Sequence, residues 1–393
     1  MSGRSDPGRR RGRAWAVIAG GGTGGHVYPG LAVADVLATA DDPRRRNIHF
    51  IVSRRPLDSE VVTAAGFAAT AISARGFRRR LTLSDLVAAC ALARGVWQCW
   101  RILGRTSPRV VLAQGGYVSA ACAMAARLRR IPVIVLEANA TPGAANRLTA
   151  RWAAACAVAF ENTRLARAVR TGLPVRAAIA RLHPDSRHEG ATGDGRAGAR
   201  AALGVAESRR LVLVTGGSQG STRLNAAVEA ACRMLKDRAD LAVRHIVGHA
   251  AADRGTPAGA QAPIPGLQYE SLPYEHDMPV ALAAADLVIS RAGGSALAEL
   301  AAAGRASVLV PMTGASDDHQ AANAAALATA GAAIVISESE LNGSRLATAI
   351  SDLLADPGRL QRMQEAAAGF GEPEAAGRVA ELLVTAAGEG SGT

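Results

Sequence analysis

The sequence predicts an α/β protein of two domains, each with a parallel sheet covered by helices on both faces. Two glycine-rich loops support this fold, residues 20–26 (GGGTGGH) and 216–220 (GGSQG), each between an apolar run and a helix-like stretch. The length of 393 residues exceeds one typical core. Short apolar runs alternate with Ala-rich helical stretches in both halves, as in parallel sheets. Because a helix that follows glycines exposes N–H groups at its positive end, each loop is a candidate phosphate site.

The first domain is predicted to span residues 14–180, after a basic, Gly-rich tail over residues 1–13 that we expect to be disordered. Its predicted strands are 15–19, 48–52, 69–72, 110–113, 133–136 and 155–159. Its predicted helices are 28–40, 59–65, 83–103 and 120–129. This alternation indicates a doubly wound sheet.

A polar, Gly- and Arg-rich segment over residues 181–205 is predicted to be the linker. The second domain is predicted over residues 206–364, and a helix over 365–390 is expected to pack back on the first domain. The predicted strands of the second domain lie near 211–215, 243–247, 287–290, 307–310 and 333–336. Its predicted helices lie near 223–236, 296–303, 319–330 and 344–354.

The composition limits the kinds of partner and the cellular compartment that we expect for this protein. The net charge of +12 suits an anionic membrane, an anionic small molecule or nucleic acid. Aromatic residues make up only 3% of the chain, which leaves few platforms for stacking bases, so we expect no nucleic-acid partner. The five cysteines are scattered without a C-x-x-C pair, and no secretory signal or spanning apolar run is recognisable. These features favour a reduced, cytoplasmic protein.

The first loop fits the dinucleotide pattern G-x-G-x-x-G, but the acid expected after the second strand is replaced by Arg54 and Arg55. A dehydrogenase is therefore disfavoured. His26 closes this loop at the start of a helix, where the dipole favours the neutral, proton-accepting imidazole. It is a candidate general base or phosphate donor, and the alternative is a residue that only caps the helix.

Polar residues follow several strands, and the carboxyl ends of parallel strands meet in one crevice. In the first half, Tyr117 and Ser119 are expected to line the same cleft as Thr23, with Glu137 and Asn139 after the next strand. In the second half, Ser218 and Gln219 occupy the glycine loop, and a strand-to-helix turn at residues 290–295 offers further N–H groups. Glu299 and Gln320 are candidates for sugar hydroxyls, with a solvated helix carboxylate as the alternative for Glu299. No metal site and no cofactor are expected.

Residues 77–103 begin with three consecutive arginines and continue as an apolar helix with Trp97 and Trp100. This pattern is typical of a core helix with a basic end. It also fits a helix that touches an anionic bilayer, with apolar side chains inserted and arginines at the head groups. The sequence leaves both interpretations open.

These motifs together make the chain similar to the MurG family, peripheral membrane glycosyltransferases that add GlcNAc from UDP-GlcNAc to lipid I. The resemblance rests on GGTGGHVYPGLAVA (21–34), GGYVSA (115–120), N-x-x-PG-x-x-NR (139–147), LPVR (173–176), GGSQGSTRLN (216–225), AAADLVISRAGGSALAELAAAG (283–304) and DDHQAAN (317–323). It implies the GT-B fold, in which two Rossmann-like domains face each other across a cleft, with the acceptor in the first and the UDP-sugar in the second. It also implies action at the cytoplasmic face of the cell membrane, against the anionic inner leaflet.

The resemblance implies a role for each matching residue. The donor contacts are Thr23, Gly24, Gly25, Asn139, Arg176, Ser218, Gln219, Gly294, Ser295, Ala296, Leu297, Ala298, Glu299 and Gln320. Among these, Glu299 would hold the ribose, Ser218 the phosphates and Gln320 the GlcNAc hydroxyls. The implied catalytic residues are His26, Tyr117 and Glu137. The implied reaction is one inverting displacement by the muramyl 4-hydroxyl, which forms lipid II without a divalent ion.

Departures from the family pattern fall mainly on the acceptor side, where Leu136, Ala138 and Leu173 replace the usual polar residues. They leave open a transferase with a different polyprenyl or natural-product acceptor. An isomerase similar to UDP-GlcNAc 2-epimerase and a subunit that binds without turnover are the remaining alternatives.

Overall fold

The computed structural model describes residues 13–21, 27–72, 83–185, 193–249, 266–314 and 318–389. Within these ranges the strands form one sheet of seven and one of six, and every strand pairing is parallel. The predicted α/β fold with two parallel sheets is confirmed. Parallel sheets need both faces covered, which explains why the central strands are mostly runs of Val, Ile, Leu and Ala.

The first sheet has the strand order β3-β2-β1-β4-β5-β6-β7. Its strands are β1 (Ala16–Ala19), β2 (Ile48–Ser53), β3 (Ala68–Ile72), β4 (Val110–Ala113), β5 (Val133–Glu137), β6 (Ala155–Val158) and β7 (Ala168–Arg170). Its helices are α1 (Tyr28–Thr39), α2 (Pro56–Ala64), α3 (Leu83–Thr106), α4 (Gly116–Leu128) and α5 (Ala144–Thr149), with a 3-10 turn at Pro43–Arg46. A short helix, α6 (Ala177–Ala180), follows as the chain passes to the second domain.

The second sheet has the strand order β10-β9-β8-β11-β12-β13. Its strands are β8 (Arg210–Thr215), β9 (Leu241–Ile246), β10 (Gln268–Leu272), β11 (Leu287–Ser290), β12 (Ser307–Leu309) and β13 (Ala333–Val335). Its helices are α7 (Gly193–Ala202), α8 (Thr222–Met234), α9 (Met278–Ala284), α10 (Gly294–Ala302), α11 (His319–Thr329), α12 (Gly343–Ala355) and α13 (Pro357–Phe370). The last helix, α14 (Ala375–Ala386), packs against α1 and against β4 to β6 of the first domain.

The start of the second domain differs from the sequence expectation. Residues 193–202, expected to belong to the linker, form α7, which packs against α9. Arg196 and Arg200 of this helix form ion pairs with Asp286, whose side chain is 1% exposed. Asp286 also accepts a hydrogen bond from the Leu211 amide at 2.7 Å. Residues 193–202 therefore pack as a helix on the second domain, within the segment that the sequence assigns to the linker.

The carboxyl ends of the two sheets face each other across a cleft. The Tyr28 and Tyr274 hydroxyls meet there at 3.2 Å, one from each domain. At the same interface, a Cβ added to Gly294 would lie 2.0 Å from the Ala138 carbonyl oxygen, so only glycine permits this approach. The cleft thus brings the start of α10 directly against the loop that follows β5.

Candidate active site

The site lies at the points where strand order reverses in the two sheets, between β1 and β4 and between β8 and β11. Open α/β sheets bind ligands at such points because neighbouring loops diverge there. In the first domain, the turn at Gly115 and Gly116 lies beside the first glycine loop, since a Cβ on Gly116 would be 3.5 Å from the Gly21 oxygen. Both turn residues have positive φ, 91° and 74°, which glycine adopts without strain.

Five residues of the first loop, Gly22, Thr23, Gly24, Gly25 and His26, lie outside the described residues. Their assigned roles therefore stay predictions. The described residues on either side are Gly21, which follows β1, and Tyr28, at which α1 begins.

Glu137 ends β5 and is 2% exposed. Its Oε1 accepts hydrogen bonds from the Asn139 amide at 3.0 Å and the Asn139 side chain at 3.1 Å. Its Oε2 accepts from the Gly143 amide at 3.0 Å and from Asn146 Nδ2 at 2.8 Å. Four donors on one carboxylate hold the loop over residues 139–146 in a fixed shape. This geometry indicates that Glu137 fixes the shape of the loop.

Tyr117 and Ser119 share the first turn of α4 but differ in exposure. Tyr117 is 41% exposed at the rim of the cleft. Ser119 is 1% exposed, donates to the Ala19 carbonyl and accepts from the Gln114 amide at 2.9 Å. The expectation that Ser119 lines the cleft is therefore wrong, because its hydroxyl joins the ends of β1 and β4.

On the second domain, the N-terminus of α10 lies at the cleft, against the loop that follows β5. The helix begins after Gly293, and its first turns comprise Gly294, Ser295, Ala296, Leu297 and Ala298. The Leu297 side chain is 1% exposed and belongs to the core, so this residue offers only its backbone to a ligand. The start of a helix favours an anion, because the N–H groups of its first turn and the helix dipole both present positive charge there.

Glu299 lies one turn into α10 and pairs with Arg176 of the interdomain crossing, with Nη2 at 3.1 Å from Oε1. Burial raises the pKa of Glu299, while the Arg176 charge and hydrogen bond oppose the rise. The Arg176 guanidinium also lies 4.7 Å above the Tyr28 ring. Among the described residues, its buried Nε has no hydrogen-bond acceptor. The pair thus presents a carboxylate and a cation at the cleft.

The second glycine loop follows β8, with Ser218 partly exposed and Gln219 exposed. Its shape depends on glycine, because a Cβ on Gly220 would lie 1.9 Å from the Val247 carbonyl oxygen. The loop ends at Ser221, which caps α8 by accepting from the Leu224 amide at 3.3 Å. Its peptide groups therefore sit at the start of a helix, as the sequence predicts.

Arg291 and Glu338 were not identified from the sequence, yet they join the loops of this edge. Arg291 Nη2 donates to Ser221 Oγ at 2.5 Å and to Glu338 Oε1 at 2.6 Å. Burial would raise the pKa of Glu338, but bonds from Thr313 and Arg291 lower it to about 2. Gln320, in the first turn of α11, accepts a hydrogen bond from the Met312 amide at 3.0 Å, which fixes its side-chain oxygen.

Asn139 reaches across the cleft to Asn323, a buried residue of α11. Its Oδ1 accepts from Asn323 Nδ2 at 3.0 Å, and Asn323 Oδ1 accepts from the Ala140 amide at 2.8 Å. Asn323 is 0% exposed and also donates to the Ala292 carbonyl at 3.1 Å. The sequence presents Asn323 only as the last residue of the DDHQAAN motif, because its partners Asn139 and Ala140 lie 184 and 183 residues earlier and no local pattern reveals them.

Comparisons with known proteins identify the family. The chain matches the glycosyltransferase family 28 N-terminal domain over residues 16–158 and the family 28 C-terminal domain over residues 211–379. It is 40% identical over 369 residues to a protein of Alkalilimnicola ehrlichii, covering 94% of this chain and 98% of the relative. That relative is named UDP-N-acetylglucosamine--N-acetylmuramyl-(pentapeptide) pyrophosphoryl-undecaprenol N-acetylglucosamine transferase. The chain belongs to the MurG family. A Clavibacter sepedonicus protein of the same name is 39% identical, covering 93% of this chain and 95% of the relative.

Solved structures agree with this family. Acinetobacter baumannii MurG superposes with a TM-score of 0.70 at 28% identity, covering 95% of this chain and 99% of that one. A UDP-GlcNAc 2-epimerase from Neisseria meningitidis superposes with a TM-score of 0.67 at 13% identity, covering 95% and 100%. At that identity the second likeness shows the shared GT-B fold alone. Of the helices in the described ranges, none is long and apolar enough to cross a membrane.

Proposed function

We propose that this protein is a UDP-GlcNAc-dependent N-acetylglucosaminyltransferase of peptidoglycan synthesis. It transfers GlcNAc from UDP-GlcNAc to the 4-hydroxyl of the MurNAc of lipid I, which forms lipid II. The observation that supports this most strongly is that the chain matches relatives over nearly their full length at 33–40% identity, and that these relatives are named for this activity. Two facing sheets with a glycine turn at each reversal point supply a matching cleft.

For the donor, the second domain supplies the principal contacts. The ribose hydroxyls bind Glu299, and the diphosphate lies between the loop at Ser218 and Gln219 and the first turns of α10. Gln320 and Asn139 bind the GlcNAc hydroxyls, and both are already oriented by other residues. Arg176 contributes positive charge beside the leaving UDP. Helix dipoles and a fixed cation stabilise charge that develops on the leaving group, since they need no reorganisation.

For the acceptor, the first domain supplies the catalytic groups. His26 removes the proton of the muramyl 4-hydroxyl as that oxygen attacks the anomeric carbon and UDP departs. Tyr117 lies at the rim of the cleft and binds the acceptor. Glu137 acts through the loop that it holds, so it is a positioning residue. A fixed loop matters because a displacement of about 1 Å can lower a rate about a hundredfold.

The exposed face of α3 is proposed to touch the anionic inner leaflet at the cytoplasmic face of the membrane. Trp97 and Trp100 are 55% and 44% exposed, and Leu128 nearby on α4 is 69% exposed. Arg101 lies 4.8 Å above the Trp97 ring, and Arg129 lies 4.1 Å above the Trp100 ring. Tryptophan with neighbouring arginine suits the interface of a bilayer, where rings insert and cations meet head groups. Nucleic acid is not a proposed partner.

The test is incubation of the protein with UDP-GlcNAc and a soluble lipid I analogue. Formation of a GlcNAc-MurNAc disaccharide with one UDP per turnover supports the proposal. Release of ManNAc would instead indicate an epimerase, and UDP release without the disaccharide would indicate a different acceptor. Binding of UDP-GlcNAc without turnover would contradict an enzymatic role altogether.

A further inference from the structure

Behind the second glycine loop, a line of buried polar side chains crosses the second domain. Tyr269 of β10 lies with its hydroxyl 2.8 Å from Nδ1 of His245 in β9. Nε2 of His245 lies 3.2 Å from Oδ1 of Asn225 in α8, and Asn225 Nδ2 donates to the Val247 carbonyl at 2.9 Å. Ser271 adds a side-chain hydrogen bond to Tyr269 at the other end. His245 is 0% exposed and Asn225 is 4% exposed.

The Val247 carbonyl at the end of this line determines which atom donates in each of its hydrogen bonds. The Val247 carbonyl can only accept, so the Asn225 amide nitrogen faces it and Asn225 Oδ1 faces His245. Nε2 of His245 therefore bears the proton, and its Nδ1 accepts from the Tyr269 hydroxyl. Burial lowers the pKa of His245 to about 4, so the imidazole is neutral at physiological pH and can act as both donor and acceptor.

The line of hydrogen bonds ends at the Val247 carbonyl, which packs against Gly220 of the second glycine loop. Gly220 and Gly248 pack back to back, because a Cβ on Gly248 would lie 2.2 Å from the Gly220 nitrogen. Their φ values are 72° and 87°, which hold both turns in the left-handed region. The His249 amide also donates to the Ser218 carbonyl at 3.4 Å. A shift of the Val247 carbonyl would therefore move the loop that contains Ser218.

We propose that Asn225 and His245 are positioning residues that fix the second glycine loop for the diphosphate of the donor. This inference rests on the proposed function, in which that loop binds the diphosphate. Neither side chain touches the donor, since both are buried behind the loop. They act by holding the Val247 carbonyl, and hence the peptide groups of residues 216–220, in the orientation that an anion needs.

The experiment compares the binding of UDP with that of uridine by calorimetry, because only UDP engages the phosphate loop. Asn225→Ala removes the donor to Val247 and is expected to weaken UDP binding about tenfold, which corresponds to the loss of one buried hydrogen bond. Uridine binding should change less than twofold. His245→Leu should weaken UDP binding similarly, whereas His245→Gln keeps an N–H toward Asn225 and should recover most of the affinity. Since His49 is a partly buried strand histidine of the first domain, bonded to Thr70, His49→Gln is the matched control and should leave both ligands unaffected.

The outcomes separate this inference from the function on which it rests. An unchanged ratio of UDP to uridine affinity in Asn225→Ala would overturn the positioning role, as would equal loss of both ligands, which indicates general damage to the domain. The pair of His245 variants gives the same comparison if Asn225→Ala does not fold. Failure of the unaltered protein to bind UDP would overturn the proposed function itself.

Discussion

Replacement of Glu137 by glutamine separates a positioning role from direct proton transfer. Glutamine keeps the shape of the side chain but turns one carboxylate oxygen into an NH2 group. That group would face two donors, either those of Asn139 or those of Gly143 and Asn146. The variant therefore loses two hydrogen bonds to a buried charge and sets donor against donor.

The structure gives a magnitude for this change. Hydrogen bonds to charged groups contribute about 1.5–3 kcal/mol each, so the loss of two lowers the free energy of unfolding by about 3 kcal/mol or more. For a domain of this size, each kcal/mol shifts the melting temperature by about 2–4 °C, which predicts a fall of roughly 10 °C. Glu161→Gln is the control, because Glu161 is 79% exposed and its pair with Arg170 at 3.4 Å contributes little.

The assay measures the melting temperature by calorimetry and turnover with a soluble lipid I analogue. We expect Glu137→Gln to melt well below the unaltered protein and to lose activity through the displaced loop. A variant that melts normally yet loses more than a hundredfold in kcat would contradict the positioning role and assign the Glu137 carboxylate to the reaction itself.

Three further predictions concern other parts of the molecule. Burial lowers the pKa of His245 from 6.5 to about 4 in the folded protein, so as the pH falls the unfolded chain takes up a proton before the folded protein does. The neutral histidine therefore contributes about 3 kcal/mol to the free energy of unfolding above pH 6.5, and this contribution is lost as the pH falls toward 4. Denaturant titrations across that range should show a shallower pH slope for His245→Gln, and an equal slope would contradict the assignment. Glu299→Gln should weaken UDP binding about tenfold or more but 2′-deoxy-UDP binding less, measured by calorimetry; equal losses would exclude contact with the ribose hydroxyls. Replacement of Trp97 and Trp100 by serine should abolish sedimentation with anionic vesicles while turnover of a soluble acceptor persists, whereas Met234→Ser, on an exposed residue of the second domain, should leave vesicle binding intact.

The doubly wound fold could be predicted because buried parallel strands are continuous apolar runs, and the central strands β1, β4, β8 and β11 all show them. Two of the four edge strands, β7 and β10, were missed for the same physical reason, whereas the edge strands β3 and β13 were predicted. β7 (Ala168–Arg170) is three exposed residues, and β10 (Gln268–Leu272) is mostly polar. Strands at an edge need not be apolar on both faces, so their sequences resemble loops.

The glycine turns around the candidate site could be predicted because such turns after strands have a local signature. The residues that shape those turns could not be found in this way. Asn323, Arg291 and His245 all bind partners from distant segments, and a single polar residue in an Ala-rich helix or apolar strand gives no local indication of its partner. Likewise α7 was assigned to the linker because its Gly and Arg content resembles one, whereas Arg196 and Arg200 fix it through Asp286.

The most direct measurement is a crystal structure of the protein with UDP-GlcNAc. We expect the diphosphate between residues 216–220 and the first turns of α10, the ribose on Glu299, and the sugar turned toward the first glycine loop across the cleft. A donor bound by one domain alone, or with its phosphates away from both helix starts, would show that the cleft between the domains is not the donor site.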